Sequence, residues 1–348
     1  MSDCRYRLRS CVWEITLACC FSCRHCGSRA GKARENELST AECLDVVRQL
    51  AELGCQRVSL IGGEVFMRKD WFEILRALTG SGISTAIITN GFEFSDRIIS
   101  QLKDAKVESI AVSIDGNRRV HDFLRQNGSF DRALKAIDSL SAAKIPVSVI
   151  STLNSVNIKC LDELYDIFVR KSTDGNGIFA WQLQACSPMG NAANLDINYR
   201  FDHMEAIRFV EKHLDDNSFA IGVADNIGYF SDSEGYIRGN KSGRAFYKGC
   251  RAGLASIGID SIGNIRGCES MYDDRFIEGN IRYKSLRDIW EDPDAFAYNR
   301  KFTPDMLTGK CSGCKYGHKC AGGCRSYNYF TTGELYNHRE CVTGDGSL

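Results

Sequence analysis

From about residue 39 to residue 214 the chain alternates stretches of helical period with short apolar runs closed by turn residues. Ser39-Thr40-Ala41-Glu42 reads as a capping box that opens a helix to about Leu53, and Arg57 to Ile61 reads as a buried strand ending at Gly62-Gly63. A helix around Trp71 to Leu78 leads to the run Thr85 to Thr89, closed by Asn90-Gly91. A helix near Ser95 to Asp104 precedes Ser109 to Ile114, closed by Asp115-Gly116. Two more pairs follow: Phe130 to Ala143 with Val147 to Thr152, and Ile158 to Arg170 with Phe179 to Gln184. Counting a strand near Val12 to Leu17, six such units predict a parallel sheet in a partial (β/α)6 TIM-like barrel. Functional residues of such a barrel are expected just after the strand C-termini.

After about residue 215 the helical period fades, Gly, Asp, Ser and Tyr rise, and cysteines cluster. The expected organisation is a barrel over 1–215, a bridging segment over 216–249 and a small loop-rich domain over 250–348, held by metal rather than by a large apolar core.

Composition narrows the function. The chain has 348 residues, 43% of them hydrophobic, with 44 acidic and 44 basic side chains. Disorder and collagen are excluded, and a zero formal charge argues against a nucleic-acid partner. No stretch approaches the roughly 20 apolar residues of a membrane span, and the first residues lack the apolar core of a signal peptide. A cytoplasmic protein without a membrane partner is expected. The 17 cysteines are then unlike an oxidised secreted scaffold and point to metal or redox work.

Ten of them fall into two patterns. Cys19, Cys23 and Cys26 follow the first strand as C-x3-C-x2-C. Three thiolates on one loop hold three irons of a [4Fe-4S] cube and leave the fourth iron open, whereas structural zinc needs a fourth ligand, for which His25 is the local candidate. The later pattern runs Cys250, Gly263 and Cys268 as C-x12-G-x4-C, then Cys311, Cys314, Cys320 and Cys324 as C-x2-C-x5-C-x3-C, and ends at Cys341. A zinc ribbon built from Cys311, Cys314, Cys320 and Cys324 leaves Cys250, Cys268 and Cys341 unexplained.

The first loop, with the aromatic Phe21 between its first two ligands, resembles the signature of radical S-adenosylmethionine (SAM) enzymes. Gly62-Gly63-Glu64 is similar to that family's GGE motif, which meets the methionine amino group of SAM. By the same resemblance Asn90, Ser113 and Asp115 lie where the ribose or methionine portion is contacted, and Arg125 resembles an arginine that pairs with the SAM carboxylate. The seven later cysteines resemble the SPASM extension, which implies two auxiliary [4Fe-4S] clusters. The inner would use Cys250, Cys268 and Cys324, and the outer Cys311, Cys314, Cys320 and Cys341. Some members carry a further inner ligand where this chain has Ser256. Glu269 matches the position of a catalytic aspartate in sulfatase-maturing enzymes. Cys186, after the sixth strand, is placed as a missing cluster ligand or hydrogen-atom donor, with core packing as the alternative.

The resemblance implies three [4Fe-4S] clusters, SAM as cosubstrate, and reductive cleavage of SAM to a 5'-deoxyadenosyl radical that starts a net oxidation. The leading expectation is an oxidoreductase that cross-links, through C-S or C-C bonds, a ribosomally synthesised precursor peptide. The alternative is a dehydrogenase or epimerase acting on a protein side chain, as in sulfatase maturation, or on a small molecule. A flavodoxin or ferredoxin electron donor is implied. Because only 18 residues precede Cys19, leader recognition is expected on the barrel or C-terminal surface, or in a separate leader-binding protein.

Overall fold

The computed structural model describes residues 6–91, 94–172, 177–194, 198–238 and 246–343. The chain divides into two units that are not contiguous in sequence. The first gathers Met1–Ser22, Ser28–Ala111 and Arg251–Lys301, and the second Cys23–Gly27, Val112–Cys250 and Phe302–Leu348.

In the first unit, strands β1 (Ser10–Glu14), β2 (Arg57–Ile61) and β3 (Ser84–Thr89) alternate with helices α1 (Thr40–Glu52), α2 (Trp71–Gly80) and α3 (Asp96–Asp104). The capping box forms as expected: Ser39 accepts from the Glu42 backbone, and the Glu42 carboxylate accepts from Ser39 N at 2.7 Å. β1 runs parallel to β2 from Ser10↔Arg57 to Glu14↔Ile61. It ends sooner than the apolar run predicts, because the next residues bond elsewhere. Leu17 N donates to Glu37 Oε1 at 2.7 Å, and the carbonyls of Thr16 and Ala18 accept from Gly63 N and Glu64 N. On its other edge β1 pairs in parallel with β8 (Ser256–Ile259), followed by β9 (Asn264–Arg266) and β10 (Gly279–Asn280). Trp13, Leu60, Ile74, Leu78, Ile259 and Ile289 are fully buried here, each contributing about 1.5–3 kcal/mol by leaving water.

β4 (Ser109–Ser113) crosses from the first unit into the second. The second unit continues through α4 (Arg118–Leu124), α5 (Ser129–Ala142), β5 (Val147–Leu153), α6 (Leu161–Lys171), β6 (Ile178–Ala185), α7 (His203–Lys212), β7 (Ala220–Val223) and α8 (Glu234–Ile237). β5, β6 and β7 pair in parallel, and Trp181 packs edge-on against Phe168 and Phe209 with centroids 4.8 and 5.4 Å away. In the first unit α9 (Leu286–Glu291) and α10 (Ala297–Arg300) follow β10, and α11 (Gly317–Cys320) and α12 (Arg325–Thr332) close the second. The periodicity did not register α4, whose seven residues are too few to set a period and are started by Asn117 accepting from Val120 N at 3.1 Å. Among the described residues no helix is long and apolar enough to cross a membrane.

Candidate functional site

In the first unit the site begins where β1 and β2 end. A Cβ on Gly62 would stand 2.6 Å from Thr16 O, and one on Gly63 would collide with the carbonyls of Leu17 and Ala18. The two glycines are therefore what allows the β2 turn to lie backbone to backbone on the loop entering Cys19. That contact places Glu64, which is 1% exposed. Its Oε2 accepts from Asn90 N at 2.8 Å, and Thr89 Oγ1 lies 2.9 and 3.0 Å from its two oxygens. Burial pushes the carboxyl up to about 7, although the bonds from Asn90 and Thr89 favour its charged form. Asn90 Nδ2 is directed at Cys20 Sγ (3.5 Å) and Cys19 Sγ (3.7 Å), while Asn90 Oδ1 is buried without a partner among the described residues. A buried carboxyl poised near neutrality beside an unsatisfied amide oxygen suits a cationic, hydrogen-bond-donating ligand such as the methionine ammonium of SAM.

The second unit holds Cys23 and Cys26. Asn191 fastens that loop: its N donates to Cys26 O at 2.8 Å and its Nδ2 to Cys23 O at 3.0 Å. His25, the fourth zinc ligand of the alternative reading, is instead directed at Asp115, with Nε2 3.0 Å from Oδ2. Arg125 Nε reaches the same oxygen at 2.5 Å, and Thr152 N donates to Oδ1 at 2.7 Å. Burial alone would raise the Asp115 carboxyl, but Arg125 and His25 outweigh it and hold it well below the usual carboxylate range. Arg125 is thus already engaged through Nε, and its Nη groups remain as the fork for a carboxylate. Ser113, at the end of β4, is buried beside this group. Cys186 follows β6, 2% exposed; its thiol is pushed up to about 12 by burial, with Asp115 adding to the effect.

Also in the second unit, Cys311, Cys314, Cys320 and Cys341 line one cavity, shared with Tyr229 and His338. Burial raises the Cys311, Cys320 and Cys341 thiols, and neighbouring cysteines raise each further. Every described cysteine is free of disulfides. Among the described residues no three donors converge as the ligands of a single ion would. Four free thiols around a cavity fit a larger polynuclear group better than one zinc. Cys324 N donates to Tyr229 Oη at 2.9 Å, and burial, followed by the titratable neighbours beside it with Tyr229 first, raises the Tyr247 phenol.

Cys268 lies in the first unit, just after β9. The glycine of C-x12-G-x4-C now has a physical reason: Gly263 takes φ +88° in the turn between β8 and β9, a conformation costly for any side chain. Next to Cys268, Glu269 is 7% exposed, and neither carboxylate oxygen has a partner among the described residues. Burial, then Glu14 and Asp260, push its carboxyl well up, against the pull of Arg266 and Arg34. Around it Arg34 bonds Glu14, Ser261 and Tyr272, and Arg266 pairs with Asp260 at 2.8 Å. Such a carboxyl is a strong base once deprotonated.

The sequence reading had missed Thr89, Asn191 and the Arg34 group, which carry no motif and act through hydrogen bonds to motif residues. Arg325 was missed too, although it directly follows Cys324.

Residues 13–168 match the radical SAM superfamily, and residues 250–315 match SPASM, an iron-sulfur cluster-binding domain. The AdoMet-dependent heme synthase of Methanosarcina barkeri is 29% identical over 347 residues, covering 96% of each protein. The mycofactocin maturase MftC of Mycolicibacterium smegmatis is 28% identical over 97% of this chain and 83% of its own. Streptococcus suis SuiB bound to S-adenosylmethionine superposes with a TM-score of 0.76 at 19% identity, over 97% of this chain and 78% of SuiB. For anSMEcpe with bound AdoMet the TM-score is 0.69 at 16% identity, over 96% and 94%.

Proposed function

On the premise that the chain carries a radical SAM domain in a barrel-like α/β fold followed by a C-terminal SPASM domain, we propose that it is a peptide maturase, an oxidoreductase that cross-links a ribosomally synthesised precursor peptide. The observation that carries this reading is the likeness to a mycofactocin maturase over 97% of the chain. When bound, SAM and the clusters supply a 5'-deoxyadenosyl radical to remove a hydrogen atom and an acceptor for the electron that follows.

The chain's own residues do the rest. Cys19, Cys23 and Cys26 ligate the cluster that meets SAM; Cys250, Cys268 and Cys324 the inner auxiliary cluster; Cys311, Cys314, Cys320 and Cys341 the outer. Glu64 receives the SAM ammonium, Arg125 its carboxylate, and Asn90, Ser113 and Asp115 orient the remainder. Glu269 takes the proton released as the substrate is oxidised. With Ser256 at the position of a fourth inner ligand, the inner cluster would have an open iron or take a ligand from elsewhere, such as a substrate thiol. As a hydrogen-atom donor Cys186 would serve only the epimerase alternative, because returning a hydrogen atom to the substrate radical leaves no net oxidation; in the cross-linking reading it packs in the core. A flavodoxin or ferredoxin delivers the first electron, and leader recognition uses the enzyme's surface or a separate protein.

The test is anaerobic turnover with SAM, dithionite and a short peptide encoded beside the gene. Peptide-stimulated 5'-deoxyadenosine and a product lighter by two hydrogen atoms are expected; SAM cleavage that no peptide alters would overturn the reading. Glu269→Gln is expected to cleave SAM without forming product. A second reading, oxidation of a small molecule, is supported by the 29% identity to a heme synthase. Heme formed from a porphyrin precursor, with peptides untouched, would establish it instead.

A further inference from the structure

We propose that Arg325 is the internal counter-cation of the outer cluster and holds that cluster's reduction potential up, making it a better electron acceptor. This rests on the reading that Cys311, Cys314, Cys320 and Cys341 hold a [4Fe-4S] cluster.

Arg325 opens α12 and is 0% exposed. Its Nη1 donates to the carbonyls of Ala321, Gly323 and Leu335, but Nε and Nη2 have no partner among the described residues. The rings of Tyr336 and Phe302, with centroids 4.4 and 5.2 Å from the guanidinium carbon, are its nearest stabilising faces. No described carboxylate forms an ion pair with it. An uncompensated buried ion costs more than cation-π contacts return. An anion is therefore missing from its surroundings, and the thiol cavity supplies one.

The arrangement ties the charge to that cavity. One face of α12 presents Arg325 and, three residues on, Asn328; both bond Leu335 O. Asn328 Oδ1 meets His338 Nδ1 at 2.8 Å, and His338 N donates to Cys311 Sγ at 3.3 Å. A cube ligated by four thiolates is anionic and gains a further negative charge on reduction, so a fixed cation in a low-dielectric site favours the reduced form.

The experiment is an EPR-monitored redox titration of the reconstituted enzyme, with the outer signal identified by its loss in Cys311→Ala. Arg325→Met is expected to weaken reduction of that cluster at least tenfold, about 59 mV downward for one electron, at unchanged iron content, while Arg325→Lys stays close to wild type. Loss of the cluster in Arg325→Met but not in Arg325→Lys also supports the proposal. It is overturned by an unchanged potential in a fully loaded Arg325→Met enzyme, by a shift confined to another cluster, or by equal effects of Met and Lys. If the wild-type enzyme has no signal that Cys311→Ala removes, the outer-cluster reading itself fails, and this inference with it.

Discussion

His25 Nε2 stands 3.0 Å from Asp115 Oδ2, a pairing that ties the loop carrying Cys23 and Cys26 to the end of β4. Because Arg125 uses the same buried oxygen, Asp115 serves two partners at once. Asp115→Ala leaves Arg125 buried without a counter-charge and is expected to cost about 3–5 kcal/mol. Urea denaturation of the apo protein measures it; a loss below 1 kcal/mol would show that the group is not structural.

Glu64 gives a pH dependence. Its carboxyl lies at about 7 in the fold against an ordinary 4.5, so between those values the native state binds more protons than the unfolded chain. Stability from this group is present below pH 4.5 and falls by about 3 kcal/mol as pH rises through 7. SAM affinity moves the opposite way, since an ammonium prefers the ionised carboxylate, and is expected to rise up to tenfold per pH unit below 7. Calorimetric titration from pH 5.5 to 8 checks this, and Glu64→Gln should flatten the profile.

Gly63→Ala forces a methyl into the carbonyls of Leu17 and Ala18. We expect about 1–3 kcal/mol of destabilisation together with at least tenfold weaker SAM binding, because the shift moves Glu64. A variant that binds SAM normally would show that the close approach is incidental.

Cys311→Ala with Cys314→Ala should remove about a third of the iron, one cluster of the three, and leave SAM cleavage intact. Cys186→Ala should leave iron content unchanged, because Cys186 lies in neither cysteine pattern. Iron and sulfide analysis after reconstitution reads both.

Much of the alternating part of the fold was legible because each unit announces itself locally. Ser39 and Glu42 cap a helix three residues apart, and Gly62-Gly63, Asn90-Gly91 and Asp115-Gly116 close strands. The short strands β8 to β10 were not legible: two to four residues among glycines set no period, and β8 gains its ladders from β1 and β9, which meet it only in the folded chain.

The sequence by itself determined the chemistry, because ligand number and spacing are written along the chain: C-x3-C-x2-C, C-x12-G-x4-C and C-x2-C-x5-C-x3-C. Tertiary structure alone decided the environment of each group. It buried Glu64 until its carboxyl sits near neutrality, turned His25 onto Asp115, and left Arg325 without an acid partner among the described residues. Spacing is a property of neighbours in sequence, whereas desolvation and charge pairing depend on residues that are in places more than two hundred positions away, as Arg34 is from Tyr272, and that meet only when the chain folds.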